Sequence, residues 1–169
     1  MSIGGTDIRL HINDVGIIFF SPESVKHIEE GEDYFTANYS TPDKVLSHVL
    51  QGTLVGFCTG TPGDFILRFH CGYPDNAYLK HCEFALRLGF RCVGGTVCFR
   101  DLHDLRAWSK SCPPQQTLSL PDGTYHVTVC SDRPDSGTLG DDQLIDIYFQ
   151  PLEEFPQLKY EGVPVLCAY

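Results

Sequence analysis

The chain has 169 residues, of which 42% are hydrophobic and 20% charged, which is the composition of a globular domain and not of a disordered chain. Its 22 acids outweigh its 12 bases, and the net charge of −10 disfavours direct binding to nucleic acid or to an anionic membrane. The first residues lack the basic and apolar segments of a signal peptide, and the longest apolar run (residues 15–20) is too short to span a bilayer. We therefore expect one cytoplasmic domain over residues 1–169.

The first predicted elements are two short strands over residues 8–12 and 16–20. A helix is expected next, because Ser21 is a favourable N-cap and Pro22 suits the first helical position. Gly31 would end this helix.

Four acids lie around the predicted end of this helix. Glu29 and Glu30 would occupy its last turn, and Glu32 and Asp33 follow. Negative charge at a helix C-terminus opposes the helix dipole, so this cluster is a candidate acidic binding patch. A solvated surface explains any single member of it.

Residues 34–39 are predicted to form a strand. A second helix is predicted from Thr41 to Gly52, with one apolar face made of Val45, Leu46, Val49 and Leu50. Residues 53–58 and 64–71 then read as two strands of a hairpin, since a glycine- and proline-rich turn separates them.

The middle of the chain continues with strand patterns. Residues 83–88 alternate apolar and polar side chains, and residues 96–99 follow a Gly-Gly turn. Residues 101–108 are predicted to be a short helical turn, and residues 110–115 a linker.

The clearest pattern lies in residues 116–151, where a predicted turn precedes two alternating strands. The turn is Pro121-Asp122-Gly123, in which proline presets φ and glycine accepts a positive φ. The residues predicted to form core alternate along the two strands: Tyr125, Val127, Val129, Ile145, Ile147 and Phe149. Between them lies a loop with four acids and one base, Arg133. The acids are candidate partner-binding residues: Asp132, Asp135, Asp141 and Asp142.

Eight cysteines are scattered along the chain without a CxxC motif. The pairs His70-Cys71 and His81-Cys82 resemble zinc ligands, but neighbours on a strand point to opposite faces. We therefore expect no metal site and no cofactor, and, because the chain lacks an export signal, reduced structural thiols.

No nucleophile elbow, phosphate-binding loop, dinucleotide-binding motif or HExxH motif occurs. The one acid–base candidate is His103 beside Asp104, which would serve a metal-dependent hydrolase. Capping by Asp101 and a solvated His103 explain the same residues.

Residues 62–75 and 122–135 align without gaps, and residues 84–88 then match 145–149 in kind. The match predicts a pseudo-repeat of residues 53–88 and 116–150. The expected fold is mainly β: an antiparallel β-sandwich of two related hairpin units with one to three short helices.

From Gly52 to Pro151 the order of segments resembles the competence nuclease-inhibitor family, small bacterial proteins that silence a DNA-entry nuclease. The resemblance rests on GTLVGFCTGTPGDFILRFH, HCEFALRLGFRCVGGTVCF, QTLSLPDGTYHVTVC and DDQLIDIYF. It implies a non-enzymatic inhibitor that neutralises a basic nuclease. Immunity proteins to secreted toxins are similar small acidic β proteins, so a toxin is an equally suitable partner. The alternatives are a small-molecule-binding β-sandwich module, with its pocket between the two hairpins, and the hydrolase using His103 and Asp104.

Overall fold

The computed structural model describes residue 3 and residues 7–167. The strands in this part of the chain are β1 (Ile8–Ile12), β2 (Gly16–Phe20), β3 (Leu54–Cys58), β4 (Gly63–Cys71), β5 (Phe84–Cys92), β6 (Thr96–Asp101), β7 (Thr117–Ser119), β8 (Gly123–Ser131) and β9 (Gln143–Leu152). The α-helices are α1 (Tyr34–Asn38), α2 (Pro42–Gln51) and α3 (Asn76–His81). Short 3₁₀ segments cover Pro22–Val25, Leu102–Arg106 and Pro114–Gln116.

The strands of the described residues form two sheets. Sheet I has the order β1-β4-β9-β8-β5, and sheet II has the order β3-β2-β6-β7. All neighbouring strands are antiparallel except β4 and β9, which run parallel. The predicted mainly β, two-sheet architecture is confirmed.

The core lies between the two sheets. Phe19 of sheet II contacts Phe90 of sheet I with ring centroids 5.2 Å apart, and Phe99 contacts Phe69 at 5.1 Å. The alternating residues of β8 and β9 supply much of the sheet I side. All six residues predicted there are at most 2% exposed: Tyr125, Val127, Val129, Ile145, Ile147 and Phe149.

Residues 34–38 form helix α1, so the strand predicted over residues 34–39 is wrong. Asp33 explains the difference, because its carboxylate accepts hydrogen bonds from Thr36 N at 3.1 Å and Thr36 Oγ1 at 2.6 Å. This N-cap satisfies a donor of the first helical turn.

The helix predicted from Ser21 to Gly31 is reduced to the 3₁₀ segment Pro22–Val25. Ser21 is fully buried and makes no cap; its hydroxyl instead accepts a hydrogen bond from Val93 N at 3.0 Å. Gly31 N donates to Trp108 O at 2.7 Å, so the following chain is held by a distant segment and does not continue a helix. The acids at residues 29–33 therefore do not lie at a helix C-terminus.

The second predicted helix is confirmed as α2. Thr41 Oγ1 accepts from Lys44 N, and Gly52 ends the helix with φ of +70°. Val45 and Val49 are buried, whereas Leu50 is 51% exposed and does not belong to the buried face.

The strands predicted over residues 53–58 and 64–71 exist, but they do not form a hairpin. β3 pairs with β2 in sheet II, and β4 pairs with β1 and β9 in sheet I. β4 and β5 also lie on opposite sides of the β8–β9 hairpin. The pseudo-repeat of residues 53–88 and 116–150 stays a prediction from the sequence.

Cys98 and Cys112 form a disulfide, with Cα atoms 6.5 Å apart, so the expectation of eight reduced thiols is wrong for this pair. A missing export signal bears only on the compartment of the protein. It does not indicate whether two cysteines lie close enough to form a disulfide. Arg100 of β6 donates through Nη1 to Ser109 O, and three residues later Cys112 reaches the buried Cys98.

Candidate functional site

The four aspartates predicted to bind a partner lie in the acidic loop (residues 132–142), which joins β8 to β9. The hairpin register ends with Ser131 opposite Ile145, so the loop projects from the end of a long buried ribbon. At its start, Asp132 Oδ1 accepts a hydrogen bond from Glu83 N at 2.8 Å. Arg133 is bound by Glu83, with Arg133 N donating at 3.1 Å and Nε at 3.4 Å. The loop is thereby attached to the chain that enters β5.

The other end of the acidic loop is held by a buried glutamine. Gln143 Oε1 accepts from Gly140 N at 2.9 Å, and its Nε2 donates to Ser131 Oγ at 2.8 Å. Asp64 N donates to Gly140 O at 2.7 Å, which joins the loop to the start of β4. A loop fixed at both ends loses less conformational entropy when it binds a partner.

An open hollow of about 620 Å³ lies beside the acidic loop. The structure brings all four predicted aspartates to its wall: Asp132, Asp135, Asp141 and Asp142. The carboxylates of Asp135, Asp141 and Asp142 form no ion pair with any residue that the structure describes. The hollow is therefore strongly negative and has one base, Arg133, in its lining.

Asp146 also lines this hollow, and sequence reasoning did not select it. Its side chain is only 13% exposed and accepts hydrogen bonds from His70 Nε2 and Tyr78 OH, both at 2.7 Å. The pKa of Tyr78 is raised, mainly by burial and secondly by its hydrogen bond to Asp146. Its hydroxyl therefore keeps its proton and donates to the carboxylate. Tyr148 stacks on His70 with ring centroids 4.4 Å apart. The alternation of β9 placed Asp146 on the face away from the core, which was the available signal.

The second predicted acidic patch is engaged in local structure. Glu30 Oε2 accepts from Lys110 N at 2.7 Å, and Glu29 lies 3.7 Å from Lys110 Nζ. Glu32 Oε1 accepts from Glu29 N at 3.2 Å. Asp33 caps α1, and the hydrogen bonds from Thr36 lower the pKa of Asp33. These carboxylates have partners within the chain, unlike three of the acids in the loop.

The His103 and Asp104 region is organised by backbone capping and one ion pair. Asp104 Oδ2 accepts from Arg100 Nε at 2.8 Å, and Asp101 Oδ1 accepts from His103 N at 3.0 Å. Asp101 Oδ2 also accepts from Asn13 N at 2.7 Å. These carboxylates thus bind residues other than the imidazole of His103. Within the described residues, no group of three or more His, Cys, Asp and Glu side chains is placed to hold a metal ion.

A more apolar pocket of about 360 Å³ lies beside the 3₁₀ segment Pro22–Val25, with Phe20 and Trp108 in its wall. Its lining residues come from the end of β2 and from the segments around Pro22–Val25 and Trp108. This is not the location between two hairpins that the binding-module alternative predicts. The described part of the chain contains no helix of the length and apolarity needed to cross a membrane.

The sequence matches no protein-family model and none of the curated proteins compared with it. Two solved structures are similar in fold. One is ComJ of Bacillus subtilis, an inhibitor of the DNA-degrading activity of NucA, with a TM-score of 0.52 and 14% identity over 90% of this chain and 100% of ComJ. The other is crocagin biosynthetic gene J, with a TM-score of 0.48 and 16% identity over 88% of this chain and 98% of the other. At such identity the relation is one of fold, and in its fold this chain is distantly similar to the nuclease inhibitor ComJ.

Proposed function

We propose that this protein is a non-enzymatic inhibitor that binds a basic nuclease or toxin through its acidic loop. The observation that carries the proposal is the hollow lined by four loop aspartates, none of which forms an ion pair among the described residues. The distant fold similarity to ComJ is consistent with this role.

The physical basis is charge complementarity. Nucleases bind phosphates in basic clefts, and carboxylates held in a fixed arrangement satisfy the same basic groups. Opposite charge also accelerates association through electrostatic steering. Because Glu83 and Gln143 fix the two ends of the loop, the carboxylates are presented without a large ordering cost.

The acidic loop is the better of the two candidate surfaces. Glu30 and Asp33 already accept hydrogen bonds from Lys110 and Thr36, so a partner would compete with existing contacts. Asp135, Asp141 and Asp142 are exposed and have no such competition. We therefore assign partner binding to the loop first and to residues 29–33 second.

The test is the double variant Asp141→Lys/Asp142→Lys, assayed against a nuclease or toxin recovered from the native host by pull-down. Replacing carboxylates that face bases with like charges should slow association and raise Kd at least about tenfold, or about 1.4 kcal/mol. Binding is measured by surface plasmon resonance, and inhibition by DNA degradation.

The matched control is Glu153→Lys/Glu154→Lys, which changes the net charge equally at two other exposed positions. It should weaken binding much less, because the proposed contact is local. Equal effects of the two double variants, or unchanged affinity in the loop variant with its fold intact, would exclude the acidic loop as the interface.

A further inference from the structure

Two pairs of cysteines outside the Cys98–Cys112 disulfide have their thiols in contact. Cys82 follows α3, and its Sγ donates to Phe84 O at 2.9 Å and to Ser131 O at 3.5 Å. Cys130 precedes Ser131 on β8 and pairs with Ala85 of β5, so its thiol is a neighbour of the Cys82 thiol. Cys82 is half-buried and Cys130 fully buried.

The second pair joins β3 to the C-terminal segment. Cys58 N donates to Pro164 O at 2.8 Å, and Cys58 O accepts from Leu166 N at 2.9 Å. This parallel bridge brings the thiol of Cys167 into a hydrogen bond with that of Cys58. Cys167 Sγ also lies against Gly60, where an added Cβ would be only 2.2 Å away.

We propose that Cys82–Cys130 and Cys58–Cys167 are disulfide-forming sites that react with a small-molecule or protein disulfide as oxidant. A disulfide requires Cα atoms about 4.4–6.8 Å apart and an S–S bond of about 2 Å, and neighbouring thiols held by paired backbone segments are placed to meet that requirement. The oxidised chain would then carry these two bonds in addition to Cys98–Cys112, with Cys71 and Cys92 left as thiols.

The chemistry is thiol–disulfide exchange. The thiolate of the more exposed Cys82 attacks one sulfur of the oxidant and displaces its first thiol. The thiolate of Cys130 then attacks Cys82 Sγ and displaces the second thiol, so two cysteine thiols are oxidised while one external disulfide is reduced to two thiols. Cys58 and Cys167 react in the same way.

Burial makes this exchange dependent on pH. It raises the pKa of Cys130 to about 12, and it also raises the pKa of Cys82 and of Cys167. Because the thiolate is the reacting form, oxidation should be slow at neutral pH and faster as pH rises.

Both bonds would add a covalent link where only hydrogen bonds now hold the segments together. A Cys82–Cys130 bond would tie the end of α3 to the residue before Ser131, at the base of the acidic loop. A Cys58–Cys167 bond would hold the C-terminal segment along β3, which is the edge strand of sheet II.

The test uses the full chain, reduced with dithiothreitol and then held folded in a buffer of reduced and oxidised glutathione at pH 8. Remaining thiols are alkylated, and peptides are mapped by mass spectrometry without reduction. We expect peptides linked through Cys82–Cys130 and Cys58–Cys167, and alkylated Cys71 and Cys92. Glutathione that remains on Cys82 or Cys58 once the reaction has reached equilibrium, or alkylation of both members of a pair at that point, would overturn the proposal.

Matched variants test the pairing. Cys130→Ser should abolish the Cys82–Cys130 peptide and keep Cys58–Cys167, whereas Cys92→Ser should keep both. In a Cys98→Ser/Cys112→Ser background, oxidation should raise the urea midpoint, because only the proposed bonds then constrain the unfolded chain. An unchanged midpoint, or a link from Cys82 to another cysteine, would count against the assigned pairs. These measurements need no partner and are therefore independent of the proposed function.

Discussion

Two polar residues of β9 show how far alternation predicts a residue's surroundings. The strand pattern predicts a wetter face with Gln143, Asp146 and Gln150, but Gln143 has the parity of Ile145 and is 2% exposed, and the Asp146 side chain is 13% exposed. Each is accommodated because it is hydrogen-bonded, Gln143 to Ser131 and Asp146 to His70 and Tyr78. Alternation predicts which face of the strand a residue lies on. It does not predict which distant residues cover that face, as His70 and Tyr78 cover Asp146.

The apolar residues of β9 give a test of the register. Ile147→Ala should lower the free energy of unfolding by about 2–5 kcal/mol, because Ile147 is fully buried and its removal leaves a cavity. Leu50→Ala, at a side chain that is 51% exposed, should change it by less than about 0.5 kcal/mol. Urea unfolding followed by circular dichroism measures both, and similar losses in the two variants would contradict the register.

His48 is the clearest pH-sensitive residue of the core. Its Nδ1 lies 2.8 Å from Lys44 O and must donate, so Nε2 accepts from Tyr34 OH at 2.7 Å in the neutral ring. Burial lowers the pKa of His48. The unfolded chain therefore takes up a proton at a higher pH than the folded chain, and the stability due to neutral His48, present above a pH of about 6.5, is lost as pH falls through the folded pKa.

We expect the free energy of unfolding to decline between about pH 7 and pH 5, and His48→Gln to remove part of that decline. Tyr34→Phe, which leaves the His48 imidazole in place, should show the same decline of the free energy of unfolding with falling pH as the wild type. The measurement is urea unfolding at a series of pH values. A His48→Gln variant with the full slope of the wild type would show that this ring does not contribute.

At the scale of elements, local pairing was predictable and distant pairing was not. The β8–β9 hairpin and helix α2 follow from alternation, from a turn and from capping residues next to them in sequence. β3 and β4 are also adjacent in sequence, but their partners come from β2, β1 and β9, which no local pattern specifies. The acidic loop was located from the sequence, and its anchoring by Glu83 and Asp64 was not, because both contacts join distant segments.

Substitutions at two glycines of the acidic loop distinguish the cost of backbone strain from the cost of a steric clash. Gly137 and Gly140 have nearly the same φ, +78° and +80°. A Cβ at Gly137 would meet nothing within 4 Å, whereas one at Gly140 would lie 2.5 Å from Pro62 O. Gly137→Ala should therefore cost about 1–2 kcal/mol, from the left-handed conformation alone.

Gly140→Ala should cost about 1–3 kcal/mol more than Gly137→Ala, because the loop must move away from the start of β4. Thermal and urea unfolding of the two variants compare them directly. Equal losses would mean that the contact between the acidic loop and Pro62 does not hold the loop in place.

For the whole molecule, the net charge of −10 adds a long-range contribution to partner binding. If the proposed partner is basic, association should slow as salt rises, because the Debye length falls from about 30 Å at 0.01 M to 3 Å at 1 M. We expect the association rate constant to decrease at least about tenfold between 0.05 and 0.5 M salt, with a smaller change in the dissociation rate. Stopped-flow mixing provides both rates, and an association rate independent of salt would argue against electrostatic steering.

The strand order of sheet I also determines when the chain is able to fold. β9 lies between β4 and β8, yet it follows every other described strand of sheet I in sequence and leaves the ribosome after them. At about 5–20 residues per second, β4 waits several seconds for its parallel neighbour, with a strand edge open to other chains. Fragments that end before residue 143 would contain most strands of sheet I but not its centre. We therefore expect the unfinished sheet to present an open edge at β4 until β9 has been synthesised.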